Sequence, residues 1–292
     1  MRILDTHHHL WDLSKNYYPW LVDHIEPKPY GDYAAIRKNY LVTDFLEDVG
    51  DLPVIRSVHL NAGMDPLQES AWVQSVHDDV DTSKGFPHAL VATATFFGAT
   101  PEADLEHHCR FPLMRGVRQI TSGSVTAGHP DVLAHPALAV GVGLLAKHGL
   151  SFDIQLHPVQ MEAVAELAAN SPDTPFIVDH AGLVNYGDPA LVEVWRKGVR
   201  LLAAQPNVRM KMSAFMMFDL QWNAEKIRPY ILELIDVFGI DRCFFGSNFP
   251  VDRLGGSYRT LWDNFMSATR SFSDDERDKL FYRNAAATYR IE

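Results

Sequence analysis

Three histidines stand side by side in ILDTHHHLWD at residues 3–12, and two more close other apolar runs, His157 after SFDIQL and His180 after FIVD. The triplet is flanked by Ile3, Leu4, Leu10 and Trp11, so it reads as a strand rather than a purification tag. Alternate strand residues face the same side, which places His7 and His9 together with Asp5 and turns His8 away. Two imidazoles at one strand end suit a single divalent metal. Asp153, Gln155 and His157 share one face of SFDIQLH, so His157 is expected to point into the same pocket. His180 sits where a ring with a pKa of about 6.5 could ligate metal or act as a general base. Two cations are expected to face inward as well: Arg118, ending MRGVRQ, and Lys211, which alternates with Met210 and Met212 in VRMKMS. Arginine there suits a bidentate grip on a carboxylate or a polarised carbonyl. An inward lysine must be paired or serve a ligand, because an isolated buried ammonium is very costly.

The elements that must position these groups recur along the chain. Eight strand-like runs begin at Arg2, Val54, His88, Met114, Ser151, Pro175, Val208 and Arg242, with helical apolar spacing in the segments between them. That alternation predicts a parallel sheet, and eight repeats predict an α/β fold of one (β/α)8 TIM barrel domain over residues 1–292. Sites on such barrels form at the C-terminal strand ends. Residues 13–50, rich in Tyr and Pro, exceed a plain connection and are expected to cover that mouth as an extended loop after the first strand.

With 37 acidic against 26 basic residues the formal charge is −11, and no basic block occurs, which argues against nucleic acid or an anionic membrane as partner. Two isolated cysteines, Cys109 and Cys243, give no disulfide framework and favour a reducing, cytoplasmic setting. No signal peptide is expected, because the first strand starts within two residues of Met1. The longest apolar stretch, LAVGVGLLA at 138–146, is too short to span a bilayer.

DTHHHLWD, QESAWVQ at 68–74, MRGVRQ, VDHAG, FGSNFP and the C-terminal FYRNAAATYRI together resemble the amidohydrolase superfamily. Within it the chain is similar to the lactone-hydrolysing branch that holds 2-pyrone-4,6-dicarboxylate hydrolase and sugar-acid lactonases. The resemblance runs nearly end to end and implies a metal-dependent or formerly metal-dependent hydrolase acting on a small lactone or organic acid. Most members carry aspartate where this chain has Asn248. Asparagine lacks the charge and basicity of that carboxylate, so base duty is expected to pass to His180 first and Asp252 second.

The expected chemistry follows. A divalent metal, zinc by the chemistry of neutral imidazoles, would be held by His7 and His9 with His157 as third ligand. His180 would take the proton of the attacking water, while Arg118 and Lys211 bind the substrate's oxygens. A decarboxylase of the same superfamily is the nearest alternative, and a non-catalytic ligand-binding barrel is the alternative that Asn248 motivates. His129 and His135 could border the substrate; His24, His77, His88 and His148 read as surface or interface residues, and His59 is undecided. The oligomeric state stays open, a homo-oligomer included.

Overall fold

The apolar runs become eight strands: β1 Ile3–His8, β2 Val54–Leu60, β3 Ala89–Thr93, β4 Met114–Ile120, β5 Ser151–Gln155, β6 Phe176–Val178, β7 Val208–Met212 and β8 Cys243–Phe245. The structure is a computed structural model and describes residues 1–23, 28–126 and 132–292, the side chains of Ser124 and Thr126 excepted. His24 and His129 therefore lie outside the described residues. All strands are parallel and pair in chain order. The last returns to the first through short backbone bonds, Asn248 N–H to His7 O at 2.6 Å and His9 N–H to Phe249 O at 2.7 Å. The result is a (β/α)8 TIM barrel.

Helices form where the sequence caps them and supplies an apolar stripe. In Pro189–Ala203, Asp188 accepts the backbone N–H groups of Ala190 and Leu191, proline occupies the first turn, and Val192, Trp195, Val199 and Leu202 are buried. The spacing of those four is one helix face turned to the sheet. Inside the barrel, Leu4, Val58, Val91, Ile177 and Phe244 pack with Tyr289 and Ile291 of the C-terminal segment, which closes the end away from the site. Among the described residues no helix is long and apolar enough to cross a membrane.

Strict alternation fails on β1, and the failure matters. Asp5 pairs with Ser57 and His8 with His59, so three steps on β1 match two on β2. The extra residue is a β-bulge, a device that re-aims side chains beside functional sites. Because of it Asp5 does not share a face with His7, as simple parity predicts. Its carboxylate turns to the helix layer, accepting Ser247 Oγ–H at 2.6 Å and Tyr258 O–H at 2.9 Å, while His7 turns inward. Burial pushes the Asp5 carboxyl up to about 6 against those donors. His8 faces the helices, stacked on Phe45 with its Nε2 at 2.9 Å from Ser57 Oγ. His59, undecided from sequence, lies on that same outer face, its ring centroid 5.9 Å from that of His8.

The segment 13–50 is less loop-like than expected. It carries short helices at Pro19–Val22 and Ala34–Ile36 and a longer one at Val42–Val49. Trp20, Lys28 and Tyr30 from it do reach over the mouth.

Candidate active site

At the C-terminal ends of the strands a cavity of about 550 Å³ opens. His9, Arg118, His180 and Asn248 form its floor, brought from β4 and the segments after β1, β6 and β8. His7 lies just beneath, fully buried, with its ring centroid 5.0 Å from that of His9 and 4.5 Å from that of His180.

Close approach of the chain at β8 makes this possible. A Cβ on Gly246 would lie 2.7 Å from His7 Cβ and 3.0 Å from its backbone nitrogen. Gly246→Ala is therefore expected to displace β1 and to cost about 1–3 kcal/mol, seen as a lowered thermal midpoint; an unchanged midpoint would contradict this packing. Two floor residues also hold strained backbone, His180 at φ 59° and Asn248 at φ 56°. Left-handed conformations at non-glycine residues persist where the surroundings over-determine them. Behind His180 the indole of Trp195 donates to Ala181 O at 2.8 Å and braces that turn.

The centre of the network is Asp179, a residue that the sequence reading passed over. Its Oδ2 accepts Arg118 Nε–H at 2.7 Å, and its Oδ1 lies 3.0 Å from Lys211 Nζ and 3.6 Å from His7 Nδ1. Burial opposes its ionisation, but Lys211 and then Arg118 overcome that and hold the carboxyl well below its usual range. Lys211 also donates to Asp153 at 2.7 Å, and Tyr289 O–H donates to the same Asp153 oxygen at 2.6 Å. Lys211 is fully buried and does not line the cavity. The expectation that it binds substrate is corrected: two carboxylates already take its charge, and it positions Asp179.

Arg118 is fixed on three sides. Besides Asp179 it donates from Nη2 to Gln155 Oε1 at 2.7 Å and to His180 Nε2 at 3.0 Å. Since a guanidinium only donates, His180 Nε2 is an acceptor and its Nδ1, 3.0 Å from Ser213 Oγ, carries the proton. Burial first, and Arg118 and Lys211 besides, hold His180 well below the usual histidine range despite the opposing charge of Asp179, so the ring is neutral. Arg118 Nη1 is left for a ligand.

His9 is neutral too, its pKa pulled down to about 3 by burial first and then by Arg118. Its Nδ1 donates to Leu60 O at 2.9 Å, leaving Nε2 as a lone pair 3.4 Å from Asn248 Oδ1. Asn248 in turn donates from Nδ2 to Asp252 Oδ1 at 2.7 Å. Burial pushes Asp252 well above the usual carboxylate range, and Oδ2 has no hydrogen-bond partner among the described residues. A carboxyl whose charged form burial disfavours and that stands off the cavity wall is poorly suited to serve as the base.

Donors for a divalent ion can now be weighed. Among the described residues His7, Asp179 and His180 form the group of three whose ligand atoms lie within 4.8 Å of one another. Yet Asp179 is already neutralised by two cations, and His180 Nε2 accepts from Arg118. His7 differs, because among the described residues neither ring nitrogen makes a hydrogen bond, Nδ1 only approaching Asp179 Oδ1 at 3.6 Å. The His7 ring centroid lies 5.0 Å from that of His9, whose Nε2 lone pair faces Asn248 Oδ1 at 3.4 Å, and neutral N and O donors of this kind suit a zinc-like ion. His157 stands apart from that group: it lines the cavity half-buried, with its Nδ1 accepting Val159 N–H at 3.4 Å.

Comparison with known proteins agrees with the fold. An uncharacterized protein of Sinorhizobium fredii, y4mH, is 43% identical over 99% of this chain and 98% of its own length. The L-fucono-1,5-lactonase of Burkholderia ambifaria is 25% identical over 99% of this chain and 96% of its own. The barrel matches that of an amidohydrolase from Burkholderia multivorans with bound zinc at a TM-score of 0.83 and 22% identity, each chain fully covered. A profile of the family described as Amidohydrolase matches residues 4–291, and with that span covered the chain belongs to the amidohydrolase family.

Proposed function

We propose that this enzyme opens a lactone, the cyclic ester of a sugar acid or related acid, by attack of water. The observation that carries the reading is one cavity floor on which Arg118 and the neutral bases His9 and His180 meet, over the unpartnered ring of His7. The lactonase relative at 25% identity supports the reaction class.

Water adds to the ring carbonyl carbon, the carbonyl oxygen takes up negative charge, and the ring C–O bond then breaks to leave a carboxylate and an alcohol. Arg118 Nη1 is the free donor for that developing charge, and donors placed where charge appears are worth about 10²–10³ in rate. His180 Nε2 is the base, on one condition: Arg118 Nη2 must turn from His180 to the substrate oxygen. The proton that His180 then collects passes to the departing ring oxygen. A divalent ion on His7, His9 and Asn248 would, when bound, polarise the carbonyl or lower the pKa of a bound water.

The test is a panel of sugar-acid lactones with acid release followed by a pH indicator, beside metal analysis of protein purified without chelator. Acid release, about one ion per chain and loss of the ion in His7→Ala are expected. Tight binding without acid release would make the barrel a binder, and release of CO2 from an aromatic or unsaturated acid would make it a decarboxylase. Equal rates before and after exhaustive chelation would remove the metal from the reading.

A further inference from the structure

The charges around the cavity do not balance. Arg118 at the floor and Lys211 beneath it face the buried Asp179 and Asp153, two cations against two carboxylates joined by ion pairs. Lys28 is different. It lines the same cavity from the segment over the mouth, is half-buried, and has no ion pair among the described residues. No aspartate or glutamate lines the cavity among those residues. The chain as a whole carries −11, so the cationic lining of this cavity runs against the overall charge.

The same cavity is lined by the apolar faces of Trp20, Tyr30 and Phe218. Low-polarity walls strengthen the attraction between a charge and its partner, and a half-buried ammonium without a counter-ion is a cost that a ligand anion would remove. The cavity, at about 550 Å³, lies within the range of small-molecule sites and has room for a sugar-sized ring with substituents.

We propose that the substrate carries a free carboxylate besides its lactone, as in the lactone of an aldaric acid, with Lys28 holding that carboxylate at the mouth while Arg118 faces the ring carbonyl at the floor. This rests on the ring-opening reading above and deepens it. Lys28 is then the residue that sets the substrate's charge class.

Matched pairs of 1,4-lactones test it, each pair of one sugar configuration and differing only at C6, carboxylate in one and hydroxymethyl in the other. The wild-type enzyme is expected to favour the carboxylate lactone by at least about 10-fold in kcat/KM. Lys28→Met should cut that preference about 10-fold, mainly through KM, and Lys28→Arg should restore it. A preference for the neutral lactones, or equal losses on both members of a pair in Lys28→Met, would overturn the proposal while leaving ring opening intact. If neither kind of lactone is opened, the ring-opening reading fails. Calorimetry with the open-chain aldarate and its aldonate counterpart then decides the anion site separately: about 10-fold weaker aldarate binding in Lys28→Met supports it, and unchanged binding rejects it.

Discussion

Asp179→Asn is expected to lower the stability of the barrel by about 3–5 kcal/mol, the range for removing one partner of a buried ion pair. The carboxylate lies 2.7 Å from Arg118 Nε and 3.0 Å from Lys211 Nζ, in a site with no solvent exposure on Asp179 or Lys211. Asparagine keeps the shape but leaves two cations facing Asp153 alone. The cost therefore comes from stranded positive charge more than from lost hydrogen bonds, and that origin can be checked. Lys211→Met in the same chain should recover a large part of the loss, because it removes the excess cation. Urea midpoints of the two single variants and the double variant give the coupling. Additive losses would show that Asp179 and Lys211 do not act as a pair. Arg118 would also lose the charge of its Nε anchor, so ring opening should fall even in the fraction that remains folded.

How much of this could be read from the residues differs by element. All eight strands were legible because each is a short apolar run and the gaps between them carry helical periodicity. The inward aim of Lys211 was legible as well, since Met210 and Met212 take the helix side. Its purpose was not, because its partners are Asp153 on β5 and Asp179 after β6, and pairing across strands is a property of the closed barrel. Asp179 had a signal that was overlooked: it keeps step with Ile177, whose side chain faces the barrel interior. The bulge on β1 had none. Nothing in DTHHH distinguishes a regular strand, in which Asp5 and His7 agree in direction, from one in which an extra residue turns them apart. The link from Asn248 to Asp252 was half legible, a short spacing whose hydrogen bond depends on the left-handed turn at Asn248. Lys28 lay in a segment recognised only as a cover for the mouth.

The same buried imidazoles make the fold acid-sensitive. His7, His8 and His180 are held well below the usual histidine range, His9 is pulled down to about 3, and His88 and His108 to about 4, in each case chiefly by burial. An unfolded chain takes up those six protons as pH falls through about 6.5, whereas the folded barrel does not. Bases with depressed folded pKa contribute stability that is fully present above 6.5 and is lost below it. Carboxyls with raised pKa act in the opposite sense. Asp5, at about 6, and the raised Asp153 and Asp252 bind protons in the folded state before the unfolded chain does. Six such rings outnumber the three carboxyls, so the unfolded chain binds more protons, and each proton of that difference is worth about 1.4 kcal/mol per pH unit. A fold worth about 5–15 kcal/mol is then exhausted within a few pH units below 6.5. Chelator-treated protein should show a urea midpoint that falls steeply between pH 6.5 and 5. His108→Gln should flatten that slope by about one proton, since His108 meets Ser70 Oγ at 2.8 Å away from the cavity. A midpoint that stays level from pH 7 to 5 would mean that the six rings are not held neutral by burial, and the neutral donors assigned to the site would fall with them.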